Sequence, residues 1–356
     1  MAVDLASFGW NRRLAEAFAP FAAQGLLPGR VAREHTHIYT VQSQAGELLA
    51  RVTGRFRHEA QRRQDFPAVG DWVVLAPGAG QGDTQIHAVL PRASKFSRKV
   101  AGNTPEEQVI AANVDTIFLV SALDRDFNLR RLERYLVVGR ESRARPVIVL
   151  NKADLHGAVE AAVAEVAAIA DDVPVHAVSC LGETGIDALR PYLRRGETVA
   201  LLGSSGVGKS TIVNRLLGVE RQRTREVRES DRRGRHTTTS RELIAMPGGA
   251  LLIDTPGLRE LQLWEAGEAV RETFDDIQAL AGECFFRDCR HEGEPRCAVK
   301  AAVERGRVLP GHLANFHKLK RELEALAARQ DPREAQNRKR RWQTISKAVR
   351  NHKPRE

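Results

Sequence analysis

Two things are scarce in this sequence: long apolar runs and cysteine. Among its 356 residues no stretch approaches the roughly 18 consecutive apolar residues of a membrane-spanning helix, so we expect no membrane partner. The N-terminal segment MAVDLASFGWNRRLAEAF has an early acidic residue and no apolar core before a small-residue cleavage site, which predicts a cytoplasmic protein without a secretory leader. Three of the four cysteines lie within positions 284–297, and without a leader this clustering favours a metal site over disulfides.

Positive charge, by contrast, is in excess. The chain holds 55 Lys and Arg against 45 Asp and Glu, which gives a formal net charge of +10. This excess is typical of proteins that bind a polyanion, either nucleic acid or an anionic surface. The hydrophobic fraction of 42% is enough to bury a core, and the length predicts two or three domains.

The stretch from Arg30 to about Pro91 predicts a small β-barrel or sandwich. The segments HIYTVQS, GELLARVTG, GDWVVLAPG and TQIHAVLP alternate apolar and polar residues between Gly and Pro. A small basic barrel is a common oligonucleotide-binding module, and the alternative is a barrel that serves only as a docking spacer. The basic residues between these segments include Arg51, Arg55, Arg57, Arg62 and Arg63.

From about Ala111 onward, predicted strands and helices alternate. The apolar segments VDTIFLVSA, PVIVL and ETVALL predict buried strands, and LRRLERYLVVGRES predicts a helix. Repeated strand–helix units predict a parallel, doubly wound α/β sheet. Ligands bind such a sheet at the carboxyl ends of its strands, which is where the motifs described next are found.

The segment GSSGVGKST fits the phosphate-binding loop pattern, between a predicted strand at 198–202 and a predicted helix at 210–217. Its glycines allow successive backbone N–H groups to point at one phosphate, and the helix start adds its positive dipole end. We expect Lys209 to bind the β- and γ-phosphates and Ser210 to ligate Mg²⁺. The alternative is a Gly/Ser-rich turn before a helix. The nucleotide-binding candidates here are Gly203, Ser204, Ser205, Gly206, Val207, Gly208, Lys209, Ser210 and Thr211.

Residues 151–154, with the sequence NKAD, fit the guanine-reading element of GTPases. The carboxylate of Asp154 can accept hydrogen bonds from guanine N1–H and from the exocyclic amine. Adenine lacks this pair of donors and would leave the carboxylate unpaired, so the discrimination is strong. We expect Asn151 to join this loop to the phosphate-binding loop and the Lys152 stem to cover the base. Ser179, which follows the next strand, fits the loop that supports the base.

The segment DTPG at 254–257 fits the element that senses the γ-phosphate. We expect Asp254 to hold Mg²⁺ through water and the Gly257 N–H to contact the γ-phosphate, so that hydrolysis releases the segment. The alternative is a strand followed by a Pro-Gly turn. Between positions 220 and 240 the chain is polar and basic, and the hydroxyls of its GRHTTT segment suit Mg²⁺ and the γ-phosphate, with Thr238 as the candidate ligand.

One departure from Ras-like GTPases concerns the attacking water. Those enzymes orient it with a Gln directly after the DxxG glycine, but here the position holds Leu258. We therefore expect slow intrinsic hydrolysis. His236 is the candidate substitute, and the alternative is that His236 is a solvated loop residue.

The order of these motifs is a circular permutation, because NKAD and Ser179 precede the phosphate-binding loop, GRHTTT and DTPG. In this order the motifs GSSGVGKST, GRHTTT, DTPG and NKADL, together with the cysteine cluster, closely resemble the RsgA/YjeQ family of small-subunit ribosome biogenesis GTPases, over roughly residues 30–330. The resemblance implies hydrolysis of GTP to GDP and phosphate, stimulated by the small (30S) ribosomal subunit late in its maturation. It also implies binding to 16S rRNA, release on hydrolysis and a catalytic histidine that matches His236. We assign Lys209 to the catalytic residues as well, and we expect a monomer.

The patterns and the resemblance together predict a multidomain protein. We expect an N-terminal extension over 1–29, an OB-type β-barrel over 30–98 and a circularly permuted α/β P-loop GTPase domain over 99–275. A mainly helical zinc-binding domain over 276–330 and a basic tail over 331–356 follow. The tail contains RKRRW and suits phosphate contacts, with Trp342 available to stack on a base. The alternative for the tail is a solvated, disordered segment.

The C-terminal cluster consists of Cys284, Cys289, His291 and Cys297. Three thiolates and one imidazole suit one tetrahedral, structural Zn²⁺ with no open position for catalysis. The spacing is tighter than in most zinc fingers, but the family resemblance also implies zinc. The alternative is one buried histidine beside free cysteines.

Two other function classes compete with a ribosome-activated GTPase. One is a nucleotide-gated RNA-binding module whose hydrolysis is incidental, and turnover that rises with added small subunits separates it from the enzyme. The other is a P-loop ATPase or kinase, against which Asp154 argues because its carboxylate suits guanine.

Overall fold

The computed structural model describes residues 3–35, 38–76, 84–100, 106–170, 172–182, 184–218, 241–254 and 266–330. The chain divides into two compact units. The first comprises Met1–Arg98 with Glu107–Gln262, and the second comprises Lys99–Glu106 with Leu263–Glu356. Within the described ranges no helix has the length and apolar character needed to cross a membrane.

The N-terminal part of the first unit is a closed barrel of five strands. The strands are β1 (Leu27–His35), β2 (Ile38–Ser43), β3 (Gly46–Val52), β4 (Trp72–Ala76) and β5 (Thr84–Val89). Their order is β1-β2-β3-β5-β4, and β4 pairs again with β1 to close the barrel. Successive side chains along each strand point to opposite faces of the barrel. The inward-facing ones form its core, which includes Val31, Val41 and Ile86. Helix α1 (Arg12–Ala22) packs against β1 and β4, and a short helix α2 (Gly54–Glu59) packs against β5.

The expected α/β sheet follows the barrel, with one difference from the prediction. Its strands are β8 (Thr116–Ala122), β9 (Arg145–Asn151), β10 (Val175–Ala177), β11 (Thr198–Leu202), β12 (Glu242–Ala245) and β13 (Leu251–Asp254). The order is β10-β9-β8-β11-β13-β12. Every pairing is parallel except β12–β13, which is antiparallel. Only the short segment 246–250 joins these two strands, and parallel strands need a longer crossover.

Helices connect the parallel strands. They are α3 (Leu129–Ser142), α4 (Val159–Ala170) and α5 (Lys209–Leu217), and a 3₁₀ helix spans Ile186–Tyr192. All seven residues of β8 are buried, as is typical of a central parallel strand covered on both faces. The carboxyl ends of β8, β9, β11 and β13 therefore meet at one edge of the sheet.

A hairpin between the barrel and the sheet was missing from the sequence prediction. It consists of β6 (Lys95–Val100) and β7 (Glu106–Ala112), which form a two-stranded sheet. The charged segment KFSRKV lacks a clear alternation of apolar residues, which is why periodicity alone did not identify it. An ion pair joins Lys95 Nζ to Glu107 Oε1 at 2.7 Å. The predicted boundary at 98/99 falls inside β6, and the domain bounds remain predictions.

The barrel and the α/β sheet are one continuous eleven-stranded sheet. The link is the antiparallel pairing of β1 with β12, where Arg33 lies opposite Glu242. The Arg33 side chain forms an ion pair with Glu242, and Arg241 forms one with Glu34 at 3.3 Å. The strand that follows residues 219–240 is therefore attached directly to the barrel.

A buried arginine on β1, Arg30, also connects the barrel to neighbouring segments of the first unit. Arg30 is 1% exposed and donates hydrogen bonds to the backbone carbonyls of Phe8, Gly70 and Asn113. These carbonyls come from three separate segments of the first unit. Burial lowers the pKa of the Arg30 guanidinium to about 10, so the group is still charged at neutral pH and depends on these acceptors.

The second unit is helical, as predicted. Its helices are α6 (Gly267–Thr273), α7 (Asp275–Ala281), α8 (Ala298–Glu304) and α9 (Pro310–Gln330). Phe274, which is fully buried between α6 and α7, packs against the rings of His312 and Phe316 on α9. His312 Nε2 lies 3.1 Å from Asp276 Oδ1. These contacts hold α9 against the two short helices.

Candidate functional site: a permuted nucleotide site and a Cys₃His centre

The phosphate-binding loop connects β11 to α5, as the motif requires. Gly203 passes so close to β8 that a Cβ there would lie 2.4 Å from the Val120 carbonyl oxygen. Gly208 has φ +92°, and a Cβ there would lie 2.1 Å from Asn151 Nδ2. Neither position has room for a side chain, and the positive φ also favours glycine. The loop is thus shaped by its close approach to β8 and β9.

Lys209 begins α5 and bends back over the loop. Its Nζ donates hydrogen bonds to the carbonyls of Gly203 at 2.7 Å and Ser204 at 2.6 Å. Ser210 and Thr211 follow in the first turn of the helix. Ser205 and Gly206 at the tip of the loop are exposed, whereas Val207 is buried in the core of the sheet. The ammonium group therefore lies within the concave loop, where a phosphate would meet it.

The NKAD residues end β9 next to the loop. Asn151 is buried and its Nδ2 donates to the Val207 carbonyl at 2.9 Å. Its Oδ1 is buried and has no hydrogen-bond partner within the described ranges. Lys152 has a left-handed backbone with φ 62°, and its Nζ pairs with Asp124 Oδ2 at 2.7 Å. Asn151 thus joins the two loops, as its motif position predicts.

The structure also brings Asp154 and Ser179 together. The Ser179 hydroxyl donates to Asp154 Oδ1 and accepts from the Gly182 N–H at 2.9 Å. Two backbone hydrogen bonds between Ser179 and Thr184 close this loop. The Asp154 carboxylate is therefore oriented by a neighbouring hydroxyl, and the loop that carries this hydroxyl is itself fixed.

The remaining candidates for the nucleotide site divide into two groups. Asp254 ends β13, which lies parallel to and beside β11, so the structure places it at the same edge of the sheet as the phosphate-binding loop. His236, Thr238 and Gly257 lie outside the described residues, as does Leu258. Their assignments rest on the sequence motifs.

Three residues that contact this site were missing from the sequence prediction. Asp124, in the turn after β8, pairs with Lys152. Arg131 and Tyr135, on α3, reach the Ser204 hydroxyl of the phosphate-binding loop. None belongs to a recognised motif. The signal available in the sequence was position alone, since these residues follow a predicted buried strand whose carboxyl end faces the ligand.

The four predicted metal ligands of the second unit converge. Their ligand atoms all lie within 4.8 Å of one another. Cys284 Sγ lies 3.9 Å from Cys297 Sγ and 3.6 Å from His291 Nδ1, and Cys297 Sγ lies 3.4 Å from the same nitrogen. Around a tetrahedral Zn²⁺, with Zn–S of ~2.3 Å and Zn–N of ~2.0 Å, neighbouring sulfurs lie about 3.8 Å apart and S···N pairs about 3.5 Å apart.

These spacings fit zinc, and the local backbone explains them. Cys297 caps the start of α8, where its Sγ accepts from the Lys300 N–H at 3.4 Å. His291 has a left-handed backbone, with φ 63°, which turns the chain back toward Cys284. Burial lowers the pKa of His291, which favours the neutral imidazole that a metal requires. The donor set can hold one structural zinc ion.

Comparisons with known proteins identify the family to which the chain belongs. Residues 89–264 match the family model described as RsgA GTPase. A protein of Opitutus terrae named small ribosomal subunit biogenesis GTPase RsgA is 53% identical over 354 residues, which cover 96% of each chain. The chain belongs to the RsgA GTPase family. A second relative, RsgA 2 of Lactiplantibacillus plantarum, is 48% identical over 301 residues and 84% of each chain.

Solved structures support the RsgA assignment. The crystal structure of YjeQ from Thermotoga maritima has a TM-score of 0.62 and 27% identity, covering 84% of this chain and 99% of the other. YloQ, described as a circularly permuted GTPase, has a TM-score of 0.58 at 24% identity, covering 84% of this chain and 96% of the other, which is a likeness of fold. The predicted family, the fold class and the expectation of a GTP-hydrolysing enzyme are confirmed.

Proposed function

We propose that this RsgA-family GTPase assists a late stage in the assembly of the small ribosomal subunit. In this proposal the protein binds 16S rRNA, hydrolyses GTP faster when bound to the small subunit, and leaves after hydrolysis. The observation that carries it is the nearly full-length similarity to relatives named small ribosomal subunit biogenesis GTPases. A cytoplasmic, monomeric protein fits this role.

For the base of the nucleotide, we assign specificity to Asp154. Its carboxylate accepts from two donors that guanine has and adenine lacks. The hydrogen bond from Ser179 supports this role, because it holds one carboxylate oxygen in place before the base arrives. Asn151 connects the base-reading loop to the phosphate-binding loop, and Lys152, held by Asp124, flanks the base.

For the phosphates, we assign Lys209 and the backbone of residues 203–211 to binding. Ser210 and Thr238 are the proposed Mg²⁺ ligands and Asp254 is proposed to hold Mg²⁺ through water, since oxygen donors of this kind are those that Mg²⁺ prefers. Bound Mg²⁺ neutralises the charge that develops on the phosphates. We assign His236 to orientation of the attacking water and Gly257 to contact with the γ-phosphate, both on their motif positions.

The barrel supplies the first proposed rRNA contact. Arg51, Arg57, Arg62 and Arg63 are exposed on or near its surface, and Arg55, also exposed, pairs with Glu59. Exposed arginines bind phosphate oxygens, and their contribution falls as salt rises. The continuous sheet supports a role for the barrel in signalling, because the pairing of β1 with β12 joins the barrel to the α/β sheet that carries the phosphate-binding loop.

The Cys₃His unit supplies the second proposed contact. Phe285 and Phe286 are 57% and 41% exposed, their rings meet edge to face at 5.0 Å, and the Arg296 guanidinium lies 3.9 Å above the Phe285 ring. Exposed aromatic rings beside arginine are typical of surfaces that stack on unpaired bases. We propose that one structural Zn²⁺ holds this surface in shape, since Cys284, Cys289 and Cys297 flank it in the sequence.

The experiment that tests this function measures binding to purified small subunits by co-sedimentation. We expect the protein to sediment with small subunits in the presence of a non-hydrolysable GTP analogue, and about tenfold less with GDP, a difference of roughly 1.4 kcal/mol in binding free energy. Equal binding with both nucleotides would contradict release on hydrolysis. Equal binding to large subunits would contradict the proposed partner.

A further inference from the structure

The contacts between α3 and the phosphate-binding loop point to two further functional residues. Arg131 Nη1 donates to the Ser204 hydroxyl oxygen at 3.0 Å, and the Tyr135 hydroxyl lies 3.0 Å from the same oxygen. Arg131 and Tyr135 are four residues apart, so they occupy the same face of the helix, one turn from each other. Two side chains of one element therefore converge on one hydroxyl of the loop.

Helix α3 is a firm base for these contacts. Asn128 caps its first turn by accepting from the Arg131 N–H at 3.2 Å. Leu132 and Leu136 are fully buried, and the helix packs on β8 and β9. Because the helix is fixed at its start and along one face, the backbone of Arg131 and Tyr135 is already ordered. Their contacts with Ser204 therefore cost little additional backbone conformational entropy.

Ser204 in turn is linked to the group that binds phosphate. Its side chain is held by α3, and its carbonyl accepts from Lys209 Nζ at 2.6 Å. A change in the position of Ser204 therefore moves an acceptor of the Lys209 ammonium group, as well as the backbone N–H groups that follow it in the loop. Small displacements at such a site have large effects, because the hydrogen bonds to a phosphate depend on geometry.

We propose that Arg131 and Tyr135 are positioning residues that hold the phosphate-binding loop, through Ser204, in the conformation that binds GTP and GDP. They act on the loop rather than on the nucleotide. The inference rests on the assignment of residues 203–211 as the phosphate-binding loop, and it adds two residues outside every motif of the family pattern described above.

The test measures the affinity of the full-length protein for GDP and for a non-hydrolysable GTP analogue. Tyr135→Phe and Arg131→Met each remove one hydrogen bond to Ser204 and preserve most of the side-chain volume. We expect each variant to bind both nucleotides about fivefold to thirtyfold more weakly, and Arg131→Lys to recover part of the loss. The melting temperature of the nucleotide-free protein should stay within about 2 °C of wild type, since both residues are half-buried.

A double-mutant cycle shows whether the effect passes through Ser204. If it does, Arg131→Met combined with Ser204→Ala weakens binding no more than Ser204→Ala alone. Additive losses would overturn the proposal, because they would mean that Arg131 acts independently of Ser204. Unchanged affinity in both Arg131→Met and Tyr135→Phe would overturn it as well.

The controls separate this inference from the assignment beneath it. Arg143→Met removes an exposed arginine at the far end of the same helix and should bind nucleotide like wild type. If the wild-type protein itself fails to bind GTP, the assignment of the loop is wrong. If the wild type binds and the Arg131 and Tyr135 variants bind equally well, only the positioning role fails.

Discussion

Asn151 and Val207 lie 56 positions apart, yet the Asn151 amide donates a 2.9 Å hydrogen bond to the Val207 carbonyl. This bond joins the NKAD residues, to which we assign the reading of guanine, to the phosphate-binding loop. In this permuted chain NKAD precedes the loop, but the sheet brings the two together. The contact explains why Gly208 must be glycine, since Asn151 occupies the space of its Cβ.

We predict that Gly208→Ala abolishes measurable nucleotide binding. A methyl group there would lie 2.1 Å from Asn151 Nδ2, at φ +92°, so both the backbone and the asparagine must shift. The matched control is Gly218→Ala, at the end of α5, where φ is +68° but no atom lies within 4 Å. The control also places alanine at a positive φ, with a backbone strain of about 1 kcal/mol, and should keep its affinity, as titration with a fluorescent GDP analogue would show.

A second prediction concerns the base. Asp154→Asn should weaken GTP binding by at least about 100-fold, because the amide cannot accept both hydrogen bonds from guanine. Xanthosine triphosphate, which carries a carbonyl where guanine has its amine, should bind the variant better than GTP does. Competition between the two nucleotides measures the change. Undiminished preference for GTP would show that another residue reads the base.

The metal centre leads to a third prediction. The purified protein should contain one zinc ion per chain, measured by mass spectrometry of the metal. Cys297→Ser should lose most of this zinc and also lower the melting temperature, because Cys297 is buried and caps α8. Cys180→Ala, at the buried cysteine of the α/β sheet, is the control and should keep its full zinc content. Zinc retained by Cys297→Ser would contradict the proposed ligand set.

The fourth prediction compares the stability lost when a buried arginine and an exposed arginine of β1 are replaced. Arg30→Met removes a donor from the carbonyls of Phe8, Gly70 and Asn113, of which Gly70 keeps the Asn113 Nδ2 donor, and should destabilise the first unit by about 3–5 kcal/mol. Arg33, on the same strand, forms an ion pair with Glu242, but its side chain is 41% exposed, so Arg33→Met should cost less than about 1 kcal/mol. Urea unfolding of both variants measures the difference. Similar losses would contradict this account, because they would mean that the exposed Arg33–Glu242 ion pair stabilises the protein as much as the buried Arg30 does.

The motifs were predictable from the sequence because the residues of each lie close together in the chain. Residues 203–211, NKAD and the four residues of the Cys₃His centre are of this kind. The residues that contact and position these motifs were not predictable in the same way. The contacts of Asp124, Arg131 and Tyr135 depend on how α3 packs against the sheet, and no local pattern encodes that packing.

The same distinction explains the differences in the fold. Strands β2 to β5 of the barrel and the parallel core follow apolar periodicity and were expected, whereas β1 was not among the predicted segments. Strands β6 and β7 carry charged residues. Lys95 on β6 and Glu107 on β7 form an ion pair in the folded protein, and the sequence alone does not show that these residues are neighbours. The attachment of β12 to the barrel rests on the pairing of Arg33 with Glu242, residues 209 positions apart, which no reading of either segment alone can predict.

We propose that the small ribosomal subunit activates this GTPase. The direct measurement is GTP hydrolysis by the purified protein alone, with small ribosomal subunits and with large ones. Because Leu258 stands where Ras-like enzymes have glutamine, we predict slow turnover alone and a large increase with small subunits only. Fast turnover that small subunits leave unchanged would contradict the ribosomal role and leave a GTPase whose partner is still to be found.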